Sequence, residues 1–456
     1  MNQLFLCVSL LFILSTSAQK VVVIDETDNL PIPGVAIFND LKTKTAITDF
    51  DGEVTIDTFT QSDNIYFQHL SYHKFLALKS VIQDTVFLSP KATSLNEIVI
   101  SASKFEQSKK EVPQNIISIN SKKVQISNPQ TTADLLSQSG RIFVQKSQLG
   151  GGSPMIRGFS TNRLLITLDG VRLNNAIFRG GNVQNVLSIN PFNIMNTEVI
   201  LGSGSVIYGS DAIGGVMNFY TTTPKLSEST TPNFTARSTA RYASANNEKT
   251  AHLDFNLGFQ KWGFHSSVSL SDFGDLEMGA HGPDDYLSLY YAQHVNGQDI
   301  MVSNSTPRVQ KFTKFRQMHL AQKIRYKAND DLNFDFGLHY STTSDYPRHD
   351  RLSTYDDDGV LHYAEWNYGP QDWFLANLQM TKLSSRSNLY DKIKISTAYQ
   401  NFKESRINRK FNIETRKIGE ENVDAFSLNF DFYKSLSNRS NISYGTEYIY
   451  NRVGSV

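Results

Sequence analysis

The residues that could carry covalent chemistry in this chain are few, and their spacing suits none of the common reactions. No HExxH pair sets two imidazoles on one helix face for zinc, and no GxSxG elbow presents a nucleophilic serine. Gly150-Gly151-Gly152 and Gly202-Ser203-Gly204 lack the Gly-Lys-Ser/Thr ending and the strand–loop–helix setting of a phosphate cradle. Asp49 with Asp51, and Asp356-Asp357-Asp358-Gly359, offer hard oxygen ligands of the kind calcium takes. The first pair lacks the further carboxylates of a calcium loop and reads as a hairpin turn; the second reads as a solvated loop tip. Enzymatic activity and a resident metal or cofactor are therefore not expected, and binding is the chemistry left to look for.

The charge balance narrows the partners. Forty-four Lys and Arg stand against 44 Asp and Glu, so no basic field invites nucleic acid. The single cysteine, Cys7, lies in the apolar start Leu4–Leu14, which is followed by Ser15-Thr16-Ser17-Ala18. That run is too short to span a bilayer, and residues 1–18 read as a signal peptide cleaved after Ala18, although no Lys or Arg precedes the apolar core. The mature chain would then have no disulfide and no thiolate metal site. Beyond the signal no apolar run reaches the roughly 18 residues of a membrane helix, which leaves a soluble protein or a membrane β-barrel.

Residues 19–90 read as a small β-sandwich with strands at Lys20–Asp25, Val35–Phe38, Thr45–Asp49, Glu53–Asp57, Asn64–Gln68 and Thr85–Leu88. Residues 91–112 are a polar linker around one extended segment, Leu95-Asn96-Glu97-Ile98-Val99-Ile100-Ser101. Residues 113–228 mix short strands and glycines with one helical stretch, Ser127–Ser139, which Thr131 or Thr132 would cap and Leu135 and Leu136 would anchor.

From residue 229 to 456 the texture is alternation. Leu332, Phe334, Phe336, Leu338 and Tyr340 are separated by Asn333, Asp335, Gly337 and His339, and Ala251–Phe259 and Phe426–Phe432 repeat the pattern. A period of two places an apolar, aromatic set on one face and a polar set on the other, as in a transmembrane β-barrel. Strands are expected at 234–243, 250–260, 262–272, 316–326, 331–342, 372–383, 388–400, 424–434 and 440–451. The connections 261, 327–330, 384–387 and 435–439 are short, whereas 273–315, 343–371 and 401–423 are long; only 244–249 breaks the rule. Short periplasmic turns and long external loops require that parity. Nine strands cannot close an even-numbered barrel, so the sequence reads as cut short part-way through it.

Three ordered motifs carry a resemblance: Pro154-Met155-Ile156-Arg157-Gly158-Phe159, Thr167-Leu168-Asp169-Gly170-Val171-Arg172-Leu173-Asn174, and Glu198–Asn218 with Gly202, Gly204, Tyr208 and Gly209. In order and spacing they resemble the plug domain of TonB-dependent outer-membrane receptors. Residues 19–90 are similar to the carboxypeptidase-regulatory-like domain that precedes such plugs in Bacteroidetes. The resemblance implies a mainly β fold: sandwich, α+β plug, then the first part of an antiparallel barrel that in this family has about 22 strands. It implies that Leu95–Ser101 binds TonB, which would add a strand to it by backbone pairing. The other partners it implies are outer-membrane lipid, an external small-molecule ligand or a haem-carrying protein, and a surface lipoprotein. For the plug motifs the residues themselves suggest folding roles: glycines for close backbone approach, Arg157 pairing with lumen carboxylates, Asp169 at the first position of a turn before Gly170.

The stretch Arg163–Asn175 and the loop words Gly279-Ala280-His281-Gly282-Pro283-Asp284 and Tyr346-Pro347-Arg348-His349-Asp350-Arg351-Leu352 resemble the haem and haemoglobin receptors of the family. His281, His294, His349 and His362 fall in external connections, and imidazole is an axial ligand of haem iron; His281 and His349 are the candidate ligand residues. Tyr355, Tyr363, Trp366, Tyr368 and Trp373 read as a stacking surface or an interfacial aromatic girdle. Haem or a ferric complex would be cargo. A cobalamin, sugar or peptide receptor, and a carbohydrate-binding surface adhesin anchored by its barrel, are the alternatives.

Overall fold

The computed structural model describes residues 19–91, 98–146, 148–173, 186–437 and 440–456. The expected signal peptide, with Cys7, lies outside the described residues, as do Leu95, Asn96 and Glu97.

The first unit, up to Glu97, is built by β1 (Lys20–Asp25), β2 (Ala36–Asn39), β3 (Thr45–Ile47), β4 (Glu53–Thr55), β5 (Asn64–Gln68), β6 (Phe75–Leu78) and β7 (Thr85–Leu88). They form two sheets, ordered β4-β1-β7 and β3-β2-β5-β6. Alternate residues Val21, Val23, Ile37, Ile65 and Phe67 point inward and are fully buried. Strand β6 escapes the sequence reading because Phe75, Leu76 and Leu78 are all exposed on an edge strand, so no alternation marks it. Asp49 caps a turn, accepting the N–H of Asp51 at 3.0 Å and of Glu53 at 2.9 Å.

The second unit starts at Ile98 and contains two layers. Its first part, which takes the place of the expected plug and is called the plug below, has β8 (Ile98–Val99), β9 (Gln107–Ser108), β10 (Ile116–Asn120), α1 (Ser121–Ser127), α2 (Thr132–Ser137), β11 (Phe143–Gln145), β12 (Ser153–Met155), β13 (Leu164–Leu168), β14 (Val171–Arg172), β15 (Ile194–Ile200), α3 (Ser205–Tyr208) and β16 (Gly215–Thr221). Five of these strands make one sheet, β10-β15-β16-β13-β14. Of the helical stretch expected over Ser127–Ser139, Thr132–Ser137 forms α2, while α1, which the sequence reading did not place, lies before it and ends at Ser127. Asn128 turns left-handed at φ 44° and ends α1, and α2 starts afresh with a capping box between Thr131 and Asp134.

The second layer is a wall of long antiparallel strands in simple meander order: β17 (Asn233–Ala243), β18 (Glu248–Gly258), β19 (Trp262–Phe273), β24 (Phe315–Asn329), β25 (Leu332–Thr343), β27 (Tyr363–Leu383), β28 (Lys392–Lys410), β29 (Lys417–Ser437) and β30 (Ser440–Ser455). Between them lie β20 (Leu276–Glu277), β21 (Tyr290–Val295), β22 (Gln298–Ser303), β23 (Val309–Gln310), β26 (Tyr346–Pro347) and a short helix α4 (His349–Leu352). All nine expected strands are present. On β18, Thr250, His252, Asp254 and Asn256 are buried toward the plug while Ala251, Leu253 and Phe255 are exposed on the outward face. The loop parity is altered at the C-terminal side. Strands β27, β28 and β29 extend nine, ten and seven residues further than expected at the long-loop end (363 against 372, 410 against 400, 417 against 424), so the expected loop 401–423 shrinks to 411–416. Segment 273–315 carries a hairpin, β21–β22.

Plug and wall share an apolar core: Trp373, Leu375 and Ala398 of the wall pack with Leu135, Leu136, Ile166 and Phe219 of the plug.

Candidate functional site

The described half of the extended segment, Ile98–Ser101, is seated on the plug. Ile98 and Val99 pair antiparallel with Ser108 and Gln107. Val99 is fully buried among Ile116, Leu165, Ile200, Tyr208 and Val216. The next two amides converge on one carboxylate: Glu198 Oε2 accepts the N–H of Ile100 at 2.9 Å and of Ser101 at 2.7 Å. Asn196 Nδ2 donates to the other oxygen of Glu198 at 3.0 Å. The Tyr208 hydroxyl donates to the Ser101 carbonyl at 3.0 Å. Glu198 is fully buried and has no cationic partner among the described residues, so backbone N–H groups supply its charge compensation. The N–H groups of Ile100 and Ser101 are thus already taken.

The motif residues lie around this seat with roles that partly differ from expectation. Ile156 is fully buried in the plug core. Arg157 makes no carboxylate pair among the described residues; it is exposed and left-handed at φ 50°, in the turn between Ile156 and Phe159. Asp169 and Gly170 are both central residues of the two-residue β13–β14 hairpin, at φ 49° and 83°, rather than Asp169 leading the turn. Gly204 starts α3, and a Cβ there would lie 2.5 Å from Val216 Cγ2. Gly158, Gly202 and Gly209 hold positive φ in the turns that flank these elements.

Sequence reasoning missed what Asp169 holds. Its carboxylate accepts from the Thr221 N–H at 2.9 Å and hydroxyl at 2.6 Å, and from Lys323 Nζ on the wall at 3.0 Å, with His339 Nε2 at 3.6 Å. Burial alone would raise the Asp169 carboxyl, but the Lys323 ammonium and its other donors hold it well below the usual carboxylate range. Arg172 ties the same hairpin to Asp211 at 2.7 Å, the Tyr208 carbonyl at 2.7 Å and Glu447 of β30 at 2.8 Å. Lys104, three residues past the seated segment, pairs with Asp431 of β29 at 2.9 Å. Ile100, Tyr208, Asp169, Lys323 and Asp431 all border one cavity of about 490 Å³ between plug and wall.

At the long-loop end the plug apex meets the loops. Leu149 and Leu187 pack with Phe273, Phe315, Tyr346, Trp366 and Tyr368. Gln148 donates to the Pro347 carbonyl and accepts the His349 N–H at 2.9 Å. Trp366, Tyr368 and Trp373 are therefore neither a girdle nor an open stacking surface; they are buried against the plug. The outward aromatic band lies instead at the short-turn end, where Trp262 stacks on Tyr326 at 4.4 Å. His349 opens α4, and burial lowers its imidazole below the usual histidine value against the pull of Asp350. His281 is exposed on a separate loop, and His294 pairs with Asp299 at 2.8 Å. Asp356 caps its own turn, accepting from Val360 N at 2.9 Å. Among the described residues no group of three or more His, Cys, Asp or Glu is placed to hold a metal ion.

Known proteins match this arrangement. Residues 108–216 match the family model described as TonB-dependent Receptor Plug Domain. The chain is 34% identical over 232 residues to the vitamin B12 transporter BtuB of Vibrio vulnificus strain CMCP6, a match covering 49% of this chain and 37% of that protein. The FrpB iron transporter of Neisseria meningitidis (F3-3 variant) superposes with TM-score 0.59 at 15% identity, over 74% of this chain and 49% of its own. The copper transporter OprC does so with TM-score 0.56 at 14% identity, over 75% and 46%. The matched part is thus less than half the length of each of these proteins, and the two structural likenesses speak for the fold.

Proposed function

We propose that this chain, which carries the plug domain of TonB-dependent receptors against a wall of receptor-barrel strands, serves energised import of a scarce nutrient across the outer membrane. The wall would lie in the outer membrane, with the N-terminal sandwich and the plug on the periplasmic side. The observation that carries this reading is the seat of Ile98–Ser101 on Glu198 and Tyr208. A short strand held by a few hydrogen bonds, next to ion pairs that span plug and wall, is suited to being pulled. TonB would capture the segment by strand addition, and force would then open the plug–wall seam where the cavity already lies. The step involves no covalent chemistry.

For the cargo we propose an iron complex or haem, taken at the long-loop end with His349 and His281 as candidate contacts and with a haem-carrying protein or surface lipoprotein as accessory partner. Cobalamin is the second reading, favoured by the 34% identity to a vitamin B12 transporter. Growth of a deletion strain on free iron, siderophore, haem or cobalamin as the limiting nutrient decides between them. A defect confined to haem supports the first reading, a defect confined to cobalamin replaces it, and growth unaffected by all four overturns both. Replacing Ile98 by Pro removes a strand donor and is expected to abolish uptake while leaving surface binding intact.

A further inference from the structure

The outward face of the wall is not uniform. At the short-turn end, Trp262, Tyr326 and Phe334 form one cross-strand row of aromatic rings. Ten positions further along β19, Asp272 lies in a row with Lys249 and Arg316. At about 3.3 Å per residue and a tilt near 40°, those rows are about 25 Å apart along a membrane normal, the height of the apolar band of an outer-membrane barrel. The charged row therefore falls at the outer headgroup level.

Just inside that row the wall is hollowed. The next row reads Ala240, Ala251, Leu270, Met318, Thr342, whereas the one beyond it carries Leu253, Val268, Leu320 and Tyr340. The result is an outward groove of about 670 Å³, floored by the two alanines, walled by Leu270 and Met318, and capped by Lys249 and Arg316. Lys249 is exposed; its cross-strand neighbour Asp272 forms its ion pair with Arg316 and none with Lys249 among the described residues. Among the described residues the Arg316 side chain pairs with Asp272 alone, at 3.3 Å, both side chains being largely exposed, and such a contact is weak enough to yield to a stronger anion. The two cations flank Asp272 on the strands to either side of it, about 10 Å apart, and a phosphate taking both of their long side chains would displace the Asp272 carboxylate from Arg316.

We propose that this groove binds a phosphorylated glycolipid of the outer leaflet, one acyl chain lying over Ala240 and Ala251 and a phosphate held between Lys249 and Arg316. The proposal rests on the outer-membrane placement above and is independent of transport or cargo. The test uses the purified full chain. Flotation with phosphatidylethanolamine vesicles reports membrane placement, and native mass spectrometry in detergent reports retention of diphosphorylated lipid A, dephosphorylated lipid A or inorganic phosphate. The wild-type chain is expected to float and to retain diphosphorylated lipid A at least tenfold more tightly than the other two. The double change Lys249→Ala with Arg316→Ala, and separately Ala251→Phe to fill the groove, should each remove that preference. Lys249→Arg with Arg316→Lys should keep it. Floating without any preference for the phosphorylated lipid, or an undiminished preference in both disabling variants, overturns the lipid site alone. Failure of the wild-type chain to float overturns the membrane placement as well.

Discussion

Glu198 accepts the backbone N–H of Ser101 at 2.7 Å, and both residues are fully buried. A carboxylate buried without a cation depends on the donors it has. Lifting Ile98–Ser101 away strips Glu198 of two of its donors at once, and each bond to a charged group is worth about 1.5–3 kcal/mol. The seat is therefore held at the carboxylate more than by the two-residue strand β8.

Glu198→Ala should accordingly free the segment. Amide exchange at Ile100 and Ser101 is expected to quicken by at least about tenfold, from the loss of roughly 1.5–3 kcal/mol of local protection. Glu198→Gln, which keeps one acceptor oxygen, should fall between. Exchange at wild-type rates in the alanine variant would show that Val99 packing alone holds the segment.

Asp169 is the second point of control. Asp169→Asn leaves Lys323 buried against a neutral amide, a loss of about 3 kcal/mol. The urea midpoint for plug release, followed through Trp366 and Trp373, should drop; restoring neutrality with Lys323→Met should recover much of it. Because the Asp169 carboxyl is held below its ordinary value, its contribution is complete above about pH 4 and is lost only as pH falls further, through the lowered value. A midpoint equal to wild type in Asp169→Asn would dismiss the pair as a control point.

Much of this architecture is legible in the sequence, for a physical reason. Where one strand face packs on the plug and the other faces outward, alternation is enforced residue by residue, as on β18 and β25. The reading loses the upper halves of β28 and β29, which are largely polar on both faces, as in Lys403-Glu404-Ser405-Arg406, and that of β27, where register shifts at Tyr363/Glu365 and Tyr368/Gln371 break the alternation around the buried Trp366 and Tyr368. It also loses β6, whose large apolar residues Phe75, Leu76 and Leu78 are all exposed. At the site, the motif resemblance singles out Asp169, Tyr208 and the glycines, yet the partners Lys323 and Ser101 lie far along the chain. A long-range pair such as Asp169–Lys323 has no local signature. Glu198, present in the motif stretch, shows its role only once the 98–101 backbone is placed beside it.

The hairpin β21–β22 is clamped by one residue. Asp299 accepts from Arg409 at 2.6 and 2.7 Å, from the Asn412 N–H at 2.7 Å and from His294 at 2.8 Å. The Arg409 guanidinium, with His294 and Asn412, holds the Asp299 carboxyl well below its usual range. Arg409→Lys cannot reproduce the two-pronged contact. It should raise proteolytic cleavage at Asn296-Gly297 several-fold, and Asp299→Ala more so. Cleavage unchanged in both variants would show that the hairpin is held by its apolar contacts.

His349 offers the sharpest check on the cargo. Its imidazole is pushed below the usual value by burial, so it is neutral at pH 7, the form that ligates iron without first losing a proton. Its backbone is fixed to the plug apex through Gln148, so a ligand on His349 would be felt at the plug. If haem is the cargo, His349→Ala should weaken haem binding at least tenfold and shift its absorption band, with a smaller effect from His281→Ala on its exposed loop. Gln148→Ala should leave that band in place while loosening the Tyr346–Leu352 segment in amide exchange. Haem absorption and affinity unchanged in both histidine variants would remove iron ligation from the mechanism, and tighter retention of cobalamin than of haem by the wild-type chain would assign the apex to the corrinoid.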